Sequence, residues 1–239
     1  EGSWKLAPFG IIASAIIYLT LRKTRITQSL HKDKQSGFRS FFKTHQQLFL
    51  ILIAYTFFRA FMKQSLSVLL PTYLTHVRGE SFENGGLAYT LFQAAGVIGT
   101  FIAGKYSDNI GRKSMLLIIS ISAPLLFLLF IFSPPEYSFY LIFVLGFFVI
   151  AQGPVLLAVV NSVNTDRPAF LNSIYMTISF LIGALAMLIV GFISDIIGLE
   201  NTMIAAAIAA LPAIFFIFKL PSGNTTDEKT SMRKKFLAE

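Results

Sequence analysis

No cysteine occurs in the 239 residues, and only 12 acidic residues stand against 20 lysines and arginines. The first absence excludes disulfide staples, thiol catalysis and cysteine-ligated metal. The three histidines, His31, His45 and His76, are read as lone loop residues, so no metal cluster is expected. No glycine-rich phosphate loop is present to support a nucleotide-driven pump. Charge itself is scarce: 13% of residues are charged and 54% hydrophobic, with 25 phenylalanines. A soluble domain of this length covers itself with far more polar surface, so lipid must replace water as the solvent. The composition therefore points away from an enzyme and needs no cofactor.

What is present is a series of apolar runs about 20 residues long, the length that crosses a hydrocarbon core roughly 30 Å thick. Seven candidate spans run Leu6 to Leu21, Leu48 to Thr75, Gly86 to Gly104, Ser114 to Phe132, Phe139 to Val160, Phe170 to Gly191 and Asn201 to Leu220. They are expected to be helices, because lipid-exposed strands would leave backbone donors and acceptors unpaired. The fold class is an all-α membrane protein. If the loop Arg22 to His45 is cytoplasmic, alternation puts 16 of the 20 lysines and arginines on that side, including Lys105, Arg112, Lys113 and Arg167. That bias leaves the C-terminus in the cytoplasm. It also accounts for the formal charge of +8, so no nucleic-acid partner is required. The run Gly37 to Lys43 mixes aromatics with cations and suits a short helix on an anionic inner leaflet.

One signature occurs twice, 87 residues apart: Gly104 to Gly111 and Gly191 to Gly198 share Gly, Ser, Asp, Ile and Gly at matching positions. At the same offset Thr90 matches Thr177, Gly96 matches Gly183 and Ile102 matches Ile189, so eight of 22 positions recur. The span order places the two copies at opposite membrane faces. Two three-helix units, Leu48 to Phe132 and Phe139 to Leu220, are therefore expected to be inverted repeats, a construction found in secondary transporters. In the first copy Asp108 is expected just past a helix end, able to accept from the amides of another helix's N-terminus. Arg112 would hold or compete for it across the turn at Gly111, and Gly104 would allow close helix approach. Lys113 is read as a snorkelling cation that fixes topology.

The spacing Gly104-x-x-x-Asp108-x-x-Gly111-Arg112-Lys113 between two spans resembles the conserved inter-helix motif of the major facilitator superfamily. The segments Leu70 to Leu74 and Arg167 to Thr177 further resemble the drug and proton antiporter branch, including fosmidomycin-resistance-like exporters. Asn109 departs from the arginine usual after the motif's aspartate, which leaves Arg112 as the charge partner. The resemblance implies a bundle of twelve helices in two halves, of which this chain carries the last seven. Residues 1–21 would be the last helix of the N-terminal half and 22–46 the basic inter-half loop. Residues 47–220 would be the C-terminal six-helix half and 221–239 a cytoplasmic tail. A chain beginning Glu1, Gly2 and Ser3 fits an N-terminally incomplete sequence, so the missing N-terminal half is an expected partner.

The second span carries Arg59 and Lys63, about 18 and 24 Å along a helix counted from Gln47, which puts Arg59 near the bilayer midplane. A spacing of four sets them on one face, with Tyr55 below and Gln64 beside them, looking into a polar cavity. A central charge costs about 3 kcal/mol or more, so something negative is expected opposite: an acid from the other half, or an anionic small-molecule substrate. Gln93, Gln152, Asn172 and Tyr175 are further candidates for substrate contact, with helix-to-helix hydrogen bonding as the other reading. Pro124 and the pair Gly153-Pro154 suggest kinks. The small-residue stripes Ala95, Gly99, Ala103 and Ala205, Ala209, Ala213 suggest close helix contacts. Together these readings describe a secondary transporter in a bacterial inner membrane, exporting small amphipathic or anionic compounds at the expense of a proton gradient. An uptake symporter, a transport-inactive membrane sensor and a split-gene remnant are the alternatives.

Overall fold

The computed structural model describes residues 46–163, 165 and 167–220, all within the compact unit His45–Glu239. The expected span Leu6 to Leu21, the rest of the basic loop and the tail 221–239 lie outside the described residues. Six helical crossings follow one another: α1 (Gln46–His76), α2 (Phe82–Ile110), α3 (Arg112–Phe132), α4 (Ser138–Asn161), α5 (Pro168–Ile197), and the pair α6 (Leu199–Ala210) and α7 (Ala213–Lys219). Each is long and apolar enough to cross a membrane, the last as α6 and α7 together. Among the described residues there is no strand. The chain is thus an all-helical, multi-pass membrane protein.

Helix bounds exceed the apolar runs because polar residues at the ends continue the backbone ladder. Ser81 starts α2, its hydroxyl accepting from the amide of Asn84 at 3.1 Å, a side-chain cap for an otherwise orphan donor. Asp108 consequently lies in the last turn of α2 and not beyond it, and His76 closes α1 instead of standing in a loop. Pro71, Pro124 and Pro154 sit inside continuous helices, whereas the one interruption of a crossing falls at Leu211 and Pro212, between α6 and α7. The expected kinks at Pro124 and Pro154 are therefore not breaks.

Gly111 and Gly198, the closing residues of the two signature copies, adopt the same left-handed φ, +94° and +85°. Each is the single residue between two helices, a conformation that glycine takes without the Cβ penalty. The repeat extends to packing. The first helix of each triple packs on the second and third helices of the other: α1 on α5 and α6, α4 on α2 and α3. Gly96 on α2 faces Ile150 of α4, while its repeat partner Gly183 on α5 accepts a 2.8 Å hydrogen bond from Gln64 of α1.

Cations mark the two ends of the bundle. At one end Arg112 Nη1 donates to the Ala158 carbonyl of α4 at 3.0 Å, and Lys113 Nζ donates to the carbonyls of Phe218 and Leu220, each at 2.8 Å. At the other end Arg78 donates to Ser138 Oγ at 2.8 Å and to the carbonyls of Phe130 and Ile131. Its guanidinium also lies 4.8 Å from the Phe130 ring centroid and 5.5 Å from that of Tyr73. These carbonyls lie in or just past the last turn of their helices, where the macrodipole favours positive charge, and that of Ala158 also accepts from the Ser162 amide at 3.1 Å. Lys113 is accordingly a tie between α3 and α7, not the snorkelling cation expected. The six residues between Asn161 and Pro168 span at most ~3.6 Å each, too short to cross the bundle. So α5 starts at the Arg112 end and Gly198 lies at the Arg78 end, opposite Gly111.

The α2–α4 seam is a backbone contact. A Cβ on Gly99 would collide with the Phe147 carbonyl, and one on Gly146 with that of Phe92. We expect Gly99→Ala to destabilise the purified protein by about 1–3 kcal/mol, the usual cost of overpacking, read as a lowered melting temperature in detergent. Arg78→Ala should cost a similar ~1.5–3 kcal/mol for its charged hydrogen bonds. An unchanged melting temperature would contradict either assignment.

Candidate functional site

Arg59 stands midway along α1, with 13 residues of the helix before it and 17 after. Its side chain is only 9% exposed, and its Nε has no hydrogen-bond partner. No ion pair reaches it among the described residues, where the acids stand in end turns or short links. A buried guanidinium without a counter-charge is costly, because neither water nor a carboxylate replaces its hydration.

The surroundings of Arg59 are polar but incomplete. Tyr55, Arg59, Met62, Ser120, Pro124, Gln152, Ala210 and Ala213 line a narrow gap between α1, α3, α4 and the α6–α7 break, with no room for a water molecule. Tyr55 Oη and Ser120 Oγ hydrogen-bond each other at 2.9 Å, which satisfies both. Gln152 is 2% exposed and its Oε1 is unpartnered. On α5, the Oδ1 of Asn172 and the Oγ of Ser179 are also buried without partners. The pairing of Gln64 with Gly183, and the packing of Ala60 with Ile182 and Ala186, put Ser179 near the level of Arg59. Buried polar atoms are normally paired, so this concentration on α1, α4 and α5 marks a place built for something other than packing.

The remaining candidates divide. Lys63, one turn beyond Arg59, is exposed at the bundle surface, so the two cations share a helix stripe at different depths of burial. Gln64, expected beside them, is instead occupied with the α5 backbone. Tyr175 is buried at 3% exposure, and it follows Asn172 by one turn on the inner face of α5. Gln93 is exposed on α2 and bonds only to Tyr89 Oη of its own helix at 3.2 Å. The structure therefore brings Arg59 and Gln152 together and leaves Gln93 apart.

The signature loop forms a second centre at the Arg112 end. Asp108 and Arg112 pair at 3.7 Å across Gly111, with Asp108 66% exposed, so solvent screening weakens the pair. Arg112 is held by the Ala158 carbonyl as well, while the carboxylate of Asp108 remains presented outward. Gly104 faces open space within the described residues, so close approach there would have to come from another element. Residues missed by pattern reading are Arg78, Lys113, Ser120 and Ser179. The two cations were visible only as topology markers; Ser179 carries no signal apart from the α5 face it shares with Tyr175, and Ser120 carries none until α3 is seen to pack its hydroxyl on Tyr55.

The alanine stripe of α6 also differs from expectation. Ala205 and Ala209, with Phe57, Phe58, Phe61, Val190 and Ile193, line an apolar groove of about 190 Å³. Only Ala213 of that stripe is buried in a helix contact, whereas Ala95, Gly99 and Ala103 of α2 are all buried.

Comparison with known proteins fits this geometry. The fold resembles the crystal structure of the E. coli fucose:proton symporter with a TM-score of 0.67 at 15% identity. The alignment covers 79% of this chain and 47% of the symporter, so the chain spans about half the length of the protein it matches. No curated protein matches the chain in sequence. The family profile described as Major Facilitator Superfamily matches residues 3–187 and, in a second overlapping alignment, 52–238. With most of its length matched, inverted three-helix repeats and the glycine-hinged signature loop, the chain belongs to the major facilitator superfamily.

Proposed function

We propose that this chain supplies the C-terminal six-helix half of a proton-coupled secondary transporter that exports small amphipathic or anionic compounds by alternating access. The observation that carries the reading is Arg59: a midspan guanidinium, buried, with no acid among the described residues to neutralise it. Intramembrane charges of this kind serve substrates or coupling ions. An anionic substrate would supply the counter-charge in one state, and a membrane carboxylate of an N-terminal half would supply it in the other. Gln152, Asn172 and Tyr175 stand on the buried faces nearest to that role. Lys63, on the exposed surface one turn away, offers a second positive charge to an approaching anion.

Inversion of the two triples gives the motion its hinge. Gly111 and Gly198 are single-residue joints at opposite ends, one inside each triple, so its second and third helices can change angle with their backbones intact. Asp108, exposed beside Arg112, is the gating element and would dock against the other half when the cytoplasmic side is closed. The cation distribution supports a bacterial inner-membrane location with the C-terminus inside. The likeness of the signature and its flanking segments to drug and proton antiporters supports export driven by the proton gradient. An uptake symporter would use the same architecture.

Arg59→Ala in the complete transporter should lower proteoliposome uptake or efflux of an anionic substrate by about 10- to 100-fold, corresponding to a charged hydrogen bond of roughly 1.5–3 kcal/mol. Arg59→Lys should recover only part, since an ammonium lacks the planar fork. Wild-type rates in the alanine variant would refute the site. Asp108→Asn should lower the turnover rate severalfold with little change in the half-saturation concentration, and unchanged turnover would remove its gating role.

A further inference from the structure

Lys113 ties α3 to α7 through the carbonyls of Phe218 and Leu220, each at 2.8 Å. Carbonyls engage its N–H donors but do not cancel its charge. Lys219 stands between those two carbonyls in the chain, exposed, with its Nζ 4.7 Å from the Phe215 ring centroid. Neither ammonium forms an ion pair among the described residues. The described acid at this end of the bundle is Asp108, and it is paired with Arg112. The first turn of α3 holds no acid and no side-chain cap, so its macrodipole adds to the positive potential. The closing carbonyls of α7 offset part of one charge, which leaves this corner a net positive pole.

Depth determines what meets that pole. The 21 residues of α3 rise about 31 Å, close to the thickness of the hydrocarbon core. Its first turn therefore lies at headgroup level. Towards the bilayer centre Ile118, Ile121 and Leu125 form one exposed stripe of α3, and Phe215 and Phe218 are exposed on α7, which packs against α3. Two cations thus stand at the polar end of an exposed apolar strip. Their complement is an amphiphile with an anionic head and a hydrocarbon body. A zwitterionic head brings its own ammonium, which cancels much of the attraction.

We infer that the corner between α3 and α7 is a binding site for an anionic phospholipid, its phosphate bridging Lys113 and Lys219 and an acyl chain lying along the Ile118 stripe. The site depends on the chain spanning a bilayer and not on the direction or coupling of transport. Lys105, an exposed cation at the same end but on α2, has no place in it. That residue separates a built site from the diffuse attraction of a basic face.

The test is native mass spectrometry of the detergent-purified full chain, titrated with phosphatidylglycerol or with phosphatidylethanolamine of identical acyl chains. Wild type should bind phosphatidylglycerol about 5-fold more tightly, the scale of one cation at an anionic surface. Lys219→Gln, which removes no hydrogen bond among the described residues, should lose about 5-fold in phosphatidylglycerol affinity, and Lys113→Gln at least as much. Lys105→Gln should match wild type. Melting temperatures show whether Lys113→Gln still folds; if it does not, Lys219→Gln decides alone. Glycerophosphoglycerol, the same head without chains, should not compete at equal concentration. Equal affinity for the two lipids, unchanged affinity in Lys219→Gln, or equal losses in Lys105→Gln and Lys219→Gln would overturn the inference. Competition by glycerophosphoglycerol would also overturn it, in favour of a free phosphate ester. None of these results bears on transport by Arg59 variants, so failure here is distinguishable from failure of the transporter reading.

Discussion

Inside hydrocarbon no water can complete a hydrogen bond, so every polar group must find its partner in the protein. The helix ends show how this chain meets that demand. Arg78, Arg112 and Lys113 each reach across to the carbonyls that close a neighbouring helix. Hydroxyls within spans turn back on their own backbone, as Thr90 does to Gly86 and Thr177 to Ser173, at 3.0 and 2.9 Å. Against this background Arg59 stands out: it is the midspan cation whose requirement goes unmet, and the unmet polar atoms of Gln152, Asn172 and Ser179 gather on the helices around it.

The two repeats share a blueprint but differ at one seam. In the α2–α4 seam Gly99 and Gly146 bring the helices into backbone contact, and Gly96 receives the Ile150 side chain. At the corresponding positions of the α1–α5 seam stand Gly183, Ala186 and Arg59, and Gln64 bridges to a carbonyl where Ile150 packs in the other copy. Larger and polar residues hold α1 and α5 apart, and α5 is the least buried of the crossings. Duplication thus supplies a glycine-closed pair and a pair spaced by larger side chains from one template. Arg59 stands on a helix of the second pair, and its guanidinium reaches toward Gly153 of α4.

Much of this was legible in the residues. Apolar length located the described crossings, because the bilayer sets a span length that local packing cannot override. The repeat of Gly111 and Gly198 predicted matching junctions, since a left-handed backbone restricts the residue type. The burial of Arg59 followed from its depth in the span. Other features were not legible, because they depend on which helices become neighbours. Lys113 read as a surface cation until α7 was seen to end beside it. Ala205 read as a packing residue until its face proved open.

The central claim is that two three-helix modules run in opposite senses through the bilayer around the Arg59 seam. Because the chain contains no cysteine, Asn109→Cys and Glu200→Cys each introduce one thiol beside a signature glycine without any background to remove. Labelling of each variant with a membrane-impermeant maleimide, in intact cells and in inverted vesicles, reads which face each thiol occupies. The account predicts that Cys at 200 labels only from outside and Cys at 109 only from inside. Labelling of both from the same face would contradict it.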